Sequence, residues 1–310
     1  MLKSKIYLFL FVLLSMTGCN KFKGDQEIPS YIQIDSIIIS QTSANAFGFT
    51  PTANITDAWI TVDGWNIGGY QLPIRRIPIL KKGKHKVLIQ AGIRANNLSL
   101  RRSVYPFYSG VEFTVNFIED SIIHIDTTKT VVPLRNTNKY VFKEDFERGK
   151  HGFDTVAGYG GIPIEIKQNL IVPAFTPKRL YNEHIGHIHL TKGDSCCIMT
   201  TETFTKGTDT ELPYNKPIYI EIDYLTNNIF EVGIVSTSNG KTNFHPVVVV
   251  GSMKNPQWSK IYVDISNPVT LQLSEGADNF KIFIRTAIEE NNDEANIYLD
   301  NIRLVFAGKN

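Results

Sequence analysis

After residue 30 the apolar residues of this chain come in short clusters rich in Ile, Val, Tyr, Phe and Thr, bounded by Gly, Pro, Asn or Asp. Branched and aromatic side chains suit a pleated surface and the bounding residues supply turns, so each cluster reads as a β-strand. Examples are Ile32 to Ser40, Ala58 to Val62, His85 to Ala91, Val111 to Phe117, Ile218 to Tyr224, Phe280 to Ala287 and Ile297 to Phe306. No segment shows three turns of amphipathic helical periodicity, and the expected fold class is all-β. Beyond Cys19 the only cysteines are Cys196 and Cys197, so no disulfide framework is available and the body must rely on apolar cores. Strand neighbours point to opposite faces, which predicts two unpaired, partly buried thiols, with a strained vicinal disulfide as the alternative.

The start of the chain carries a different signal. Lys3 and Lys5 precede the uncharged run IYLFLFVLLS, and Thr17-Gly18 lead into Cys19, the order of a secretory signal peptide over residues 1 to 18. The apolar run is too short to cross a bilayer core of about 30 Å, which takes about 20 residues. Met16-Thr17-Gly18-Cys19 resembles the bacterial lipobox, with Met where that family usually has leucine. The resemblance implies a diacylglycerol on the Cys19 thiol and an acylated new N-terminus. At about 0.8 kcal/mol per buried methylene, two or three such chains anchor a protein stably. Residues 19 to 30 read as a polar, flexible tether. Asp25 and Glu27, diluted by Lys21 and Lys23, are loosely similar to the acid-containing segment of Bacteroidota lipoproteins sent to the cell surface, which implies an outer-membrane, surface-exposed position.

The formal charge is +2, and removing Lys3 and Lys5 with the signal segment leaves 2 − 2 = 0, which excludes the strongly basic class of nucleic-acid binders. Residues 31–135 hold 11 Lys/Arg against 7 Asp/Glu, whereas residues 139–306 hold 16 against 21, and this asymmetry puts a seam near residue 137. Two β-sandwich modules are therefore expected, 31–137 and 138–307.

In the first module, Asp57-Ala-Trp-Ile-Thr-Val-Asp-Gly64 alternates and then turns at Asp63-Gly64, a pair that supplies the positive φ of a type I′ hairpin. Ile77-Pro-Ile-Leu-Lys-Lys-Gly83-Lys-His85 turns again at Gly83. Together these features resemble a PEGA-type module of bacterial envelope proteins, over about residues 55 to 95, and imply surface display or protein contact without catalysis. Beyond it, Arg101, Arg102, Tyr105, Phe107 and Tyr108 surround Pro106. Tyr and Arg dominate many interfaces, so Arg101, Arg102, Tyr105 and Tyr108 are candidate contacts for a partner or ligand; the alternative is aromatic core beside solvated arginines. Trp65, just past the hairpin turn, is an exposed anchor if it stands out and packing if it folds over.

The second module opens on Tyr140-Val-Phe-Lys-Glu-Asp-Phe-Glu147, contains Trp258-Ser-Lys-Ile-Tyr-Val-Asp-Ile-Ser266 and closes on Ala295-Asn-Ile-Tyr-Leu-Asp-Asn-Ile-Arg-Leu-Val305. These pieces resemble the galactose-binding-like jelly roll of carbohydrate-binding modules, over about residues 140 to 306. Independently, strand-like opening and closing segments suit a sandwich whose first and last strands lie side by side. Strict alternation would put Glu144 inward beside Phe142 and Phe146, and Asp300 inward beside Ile302 and Leu304. Buried carboxylates need compensation, and calcium, a hard cation with oxygen ligands, would provide it; the resembling family often holds a structural calcium between its first and last strands. Turn-capping or pairing with Lys or Arg is the alternative for Glu144 and Asp300.

His184, His187 and His189 form H-x-x-H-x-H, a weak zinc pattern, and Gly158-Tyr-Gly-Gly161 reads as a flexible loop. H-E-x-x-H, G-x-S-x-G and P-loop motifs are absent from the sequence, and acids such as Glu289-Glu-Asn-Asn-Asp-Glu294 cluster at turns, so a non-enzymatic protein is expected. The leading expectation is an accessory subunit of an envelope complex that binds another outer-membrane protein. Its rival is a glycan-binding lipoprotein, which would need aromatics such as Trp65, Tyr159 or Tyr181 exposed on one face.

Overall fold

The structure, a computed structural model, describes residues 27–169, 182–252, 256–290 and 292–308. The signal segment, Cys19 and Tyr181 lie outside the described residues. Strands dominate as expected, and two short helices, Gln41–Ala46 and Ser266–Ser274, are the only α-helices among the described residues. Ile32 to Ser40 is not the one strand its composition suggests: it breaks after Ile34, and Ser40 caps the helix that follows by accepting from the Ser43 N–H. No helix among the described residues is long and apolar enough to cross a membrane.

The first module holds β1 (Ser30–Ile34), β2 (Ile38–Ile39), β3 (Asp57–Val62), β4 (Trp65–Gln71), β5 (Ile74–Ile79), β6 (Gly83–Arg94), β7 (Arg102–Val104), β8 (Val111–Phe117), β9 (Ile122–Ile125) and β10 (Val131–Val132). One sheet has the order β5-β1-β9 with a parallel β1–β9 pair; the larger one runs β4-β3-β6-β7 with β8 also on β6. Asp63 at φ 48° and Gly64 at φ 82° form the anticipated hairpin turn. Ile32, Ile34, Ile74 and Ile77 from the small sheet meet Ile60, Val62, Val87, Ile89 and Phe117 from the large one in a single apolar core.

The second module holds β11 (Asn138–Glu144), β12 (Phe153–Thr155), β13 (Glu165–Gln168), β14 (His184–Thr191), β15 (Ser195–Thr200), β16 (Phe204–Thr205), β17 (Ile218–Thr226), β18 (Phe230–Ser238), β19 (Lys241–Val250), β20 (Ser259–Asp264), β21 (Asn279–Ala287) and β22 (Glu294–Ala307). Two six-stranded antiparallel sheets face each other: β13-β14-β22-β17-β20 with β11 on β22, and β12-β15-β21-β18-β19 with β16 on β21. The first and last strands pair from Asn138↔Ala307 to Glu144↔Ile302, as their sequences suggested. Between the sheets lies a core that includes Ile220, Ile222, Val232, Ile234, Ile282, Ile284, Leu299 and Leu304.

The two modules share a face. The sequence of β17, IYIEIDYLT, alternates as a strand with one wet side would, yet every residue in it is buried. Ile218, Ile220 and Ile222 turn into the sandwich core, while Tyr219 joins the core of the first module together with Tyr262 and Val305. The first module therefore covers the outward side of the sheet that contains β17, β20 and β22.

Candidate functional site

The covered face takes up two of the five contact candidates. Tyr105 and Tyr108 are buried, which removes them as contacts for an outside partner. Tyr105 donates to Glu221 Oε1 at 2.7 Å, and its ring meets Tyr219 edge-on at 5.3 Å, while the Tyr108 and Tyr262 hydroxyls lie 3.2 Å apart. The aromatic–arginine segment is thus a contact surface within the chain, between its own modules. Arg102 pairs with Asp57 inside the first module, and exposed Arg101 lines a groove with Pro246 and Val248 of the second.

Beneath the tyrosines lies a dense polar cluster. Lys260 is 1 % exposed and its Nζ reaches Glu221 at 3.2 Å, Asp223 at 3.1 Å and Thr52 Oγ1 at 3.2 Å. Arg303 reaches Glu221 at 3.3 Å, donates to the Thr50 carbonyl at 2.9 Å and to Asn301 Oδ1 at 2.8 Å, and stacks on Phe49 at 3.9 Å. Burying four charges is costly unless each finds partners, and here the partners come from both modules. Burial, then the neighbouring Asp223 carboxylate, push the Asp300 carboxyl well above its ordinary range.

Asp300 does not share a face with Glu144. Three residues of β17 (Glu221 to Asp223) oppose four of β22 (Arg303 to Asp300), and Asn301 takes up the extra residue at φ 49°. This bulge inverts the alternation, so Ile302 and Leu299 stay in the core while Asp300 turns to the covered face. Asp300 accepts from Asn182 Nδ2 at 2.9 Å and from the Asn301 N–H at 2.7 Å. Glu144 stays inward, but both oxygens serve a turn, accepting from the Phe146 N–H at 2.8 Å and the Gly152 N–H at 2.6 Å. The expected convergence of Glu144 and Asp300 on one cation is replaced by turn-capping for the first and module docking for the second.

Among the described residues the one cluster of three side chains with metal-ligating atoms together is Glu147, Glu183 and His184, within 4.8 Å. His184 there donates its backbone N–H to Glu147 at 2.8 Å. His187 and His189 do share a face, but each turns to its own partner, Asn296 at 2.8 Å and Glu294 at 2.9 Å. Cys196 and Cys197 are free and divide between the two sides of their sheet, as alternation predicts. Burial pushes their thiols up to about 12 and about 11 respectively.

The first module does not cover the outward side of the other sheet, where Cys197, Val235 and Phe283 are buried under Val156, Tyr159, Met199 and Phe244, and that side is the strongest candidate site. Register places Cys197, Arg285, Glu231 and Val249 in one row across β15, β21, β18 and β19. Met199, Phe283 and Gly233 form the next row, then Lys281, Val235 and Phe244. A Cβ on Gly233 would stand 2.5 Å from the Phe283 ring, so this glycine is what lets the ring lie across the sheet. Phe244 packs on Phe283 at 5.2 Å, and Tyr159, from the loop after β12, packs on Phe244 at 5.6 Å.

Arg285 binds this aromatic cluster to a charge. Its guanidinium lies 5.8 Å from the Tyr159 centroid and 5.6 Å from that of Phe283, and its Nε donates to Glu231 Oε2 at 2.8 Å. The Nη2 contact falls on the same oxygen, so Arg285 leaves Oε1 open to another donor, and no hydrogen bond to Oε1 occurs among the described residues. Tyr159, Ser195, Glu231, Val249 and Arg285 line a groove of about 400 Å³, and Met199, Thr237, Thr242 and Lys281 line a second of about 320 Å³ beyond the Phe244–Phe283 ridge. Apolar floors edged by a few hydrogen-bonding groups are the usual composition of small-molecule sites.

Of the three aromatics named for a glycan platform, Tyr159 stands on this face, Trp65 is on the first module and 75 % exposed, and Tyr181 is outside the described residues. Phe244, Phe283, Glu231 and Arg285 escaped sequence reading. A signal existed in NFKIFIRTA: Phe280, Ile282 and Ile284 form the inward set, which leaves Phe283 as a large apolar residue on the outward set between Lys281 and Arg285.

No family model matches the chain, and no curated protein matches it. Solved structures similar to it include carbohydrate-binding modules from a β-sandwich superfamily, at 13 % identity and TM-score 0.37, covering 91 % of this chain and 99 % of that one. A xylan-binding domain aligns at 12 % identity and TM-score 0.33 over 55 % of this chain and 97 % of its own. The enzymatically active domain of a bacteriophage tailspike aligns at 8 % identity and TM-score 0.37 over 52 % of this chain and 20 % of its own. At such scores the assignment of the fold, a two-module all-β protein with a double-sheet sandwich as its second module, rests on the sheet order and register above.

Proposed function

We propose that the protein is a non-catalytic glycan receptor: the uncovered face of β15, β21, β18 and β19 binds a saccharide, and acyl chains on Cys19 hold the molecule at a membrane with that face turned to the surroundings. The observation that carries the reading is the groove lined by Tyr159 and the Arg285–Glu231 pair, beside the ridge where Phe244 packs on buried Phe283. A pyranose offers C–H groups on its faces and hydroxyls around its edge, so it needs flat apolar surface and paired donors and acceptors side by side. Ser195, Thr237, Thr242 and Lys281 extend the polar edge along the two depressions.

Affinity electrophoresis of the mature body through gels containing xylan, mannan, β-glucan, α-glucan or pectin tests this reading. At least one polysaccharide should retard the wild-type protein, and the double substitution Tyr159→Ala with Arg285→Ala should restore free mobility. Equal mobility of both proteins in every gel would reject it.

A further inference from the structure

The end of the first module remote from the sandwich carries an exposed apolar set that glycan binding does not use. Ile28 is 55 % exposed, Trp65 75 %, Leu80 58 % and Ile118 59 %. These residues come from four separate segments that the fold ties together. The Asp120 N–H donates to the Pro29 carbonyl at 3.0 Å, which brings Ile28 beside the turn that follows Ile118. Ser30 pairs with Ile79, next to Leu80, and Lys82 bridges to Glu119 at 3.3 Å. Asp63, at the tip of the hairpin that carries Trp65, contacts His85 Nδ1 at 2.5 Å and accepts from the Lys86 N–H at 3.0 Å. Exposed Lys81, Lys82 and Lys84 stand among them.

Two further observations say what this end meets. The described chain enters here, at Glu27 and Ile28, and the nine steps from Cys19 to Ile28 span at most about 32 Å. β6 also begins here, at Gly83, and its far end meets the second module through the Ala95↔Tyr262 bridge. A strand of that length rises about 36 Å, so the sandwich stands well away from this end.

We propose that Ile28, Trp65, Leu80 and Ile118 form a seat that enters the headgroup layer of the bilayer, with Lys81, Lys82 and Lys84 beside lipid phosphates, so that the first module stands upright and holds the glycan-binding face outward. The proposal rests on the anchoring of the chain through Cys19. Tryptophan is favoured at membrane interfaces because its ring is apolar and its N–H is not, and lysines reach from apolar surroundings to polar ones. A seat of this kind converts a loose tether into a fixed orientation.

The test uses acylated full-length protein in phosphatidylethanolamine–phosphatidylglycerol vesicles, isolated by flotation, with some of the lipids brominated on their acyl chains. Trp65 is one of three tryptophans, so bromolipid should quench about a third of the emission of vesicle-bound wild type and leave Trp65→Phe unquenched. Leu80→Glu with Ile118→Glu should float as well as wild type but lose most of the quenching. Equal quenching of wild type and Trp65→Phe on floated vesicles would overturn the seat while leaving the anchor standing. Failure of wild type to float would overturn the anchor and the seat together, and a detergent-solubilised dimer that shields Trp65 from soluble quencher would assign this end to a second copy instead.

Discussion

The two sheets of the second module turn outward onto opposite fates. On one, Glu221, Asp223, Lys260 and Arg303 are sealed beneath the tyrosines of the first module. On the other, Glu231 and Arg285 sit partly buried, 19 % and 33 % exposed, beside an aromatic ridge. Both faces use the same ingredients, opposite charges among aromatic rings. They differ in how the charges are held: the Lys260 ammonium meets three protein oxygens, whereas both Arg285 contacts fall on one oxygen of Glu231. The buried charges of the joint are paired within the protein, whereas the open face presents its ion pair to solvent.

The largest expected consequence lies in the joint. Lys260→Ala leaves Glu221 and Asp223 buried without their cation and should cost about 3–5 kcal/mol in denaturant unfolding, while Arg285→Ala, at a partly exposed pair, should cost about 1 kcal/mol or less. Equal costs would erase the distinction between the faces. Next comes the floor of the open face: a Cβ on Gly233 would meet the His245 carbonyl at 2.3 Å, so Gly233→Val should destabilise by about 1–3 kcal/mol and displace Phe283, measured by thermal unfolding and near-ultraviolet dichroism. Tyr159→Ala should weaken saccharide binding about tenfold, or about 1.4 kcal/mol, in calorimetric titration without moving the melting temperature.

The smallest effect is a slope with pH. Because the folded-state pKa of Asp300 is raised, its contribution is fully present below the ordinary aspartate value of 3.8 and is lost as the pH climbs through the raised value. Asp300→Asn cannot titrate, so its melting temperature should gain on wild type as the pH rises from 3.8 to the raised value and level off above it. A constant difference between the two proteins from pH 4 to pH 9 would contradict the assignment.

Local chemistry made much of the fold legible in the residues themselves. Asp63-Gly64 specified its hairpin through positive φ, and the strand character of both ends of the second module foretold their pairing. What stayed hidden depends on events far along the chain. Asn301 inverts the face of Asp300 by a bulge that no two-residue period announces, and the burial of β17 on both sides appears only once another module docks on it. The candidate site suffered the same fate. Tyr159 could be named as an aromatic in a glycine-rich loop, but its partners Phe244 and Arg285 come from separate strands that adjoin it only in the folded sandwich.

Hydrogen–deuterium exchange of the mature protein, with and without a retarding polysaccharide, tests most directly whether the uncovered face is the binding face. The account predicts slowed exchange in peptides covering 156–160, 230–237, 242–249 and 279–287, and unchanged exchange around Trp65 and across β17. Protection centred on the Trp65 hairpin, or confined to the joint between the modules, would contradict it.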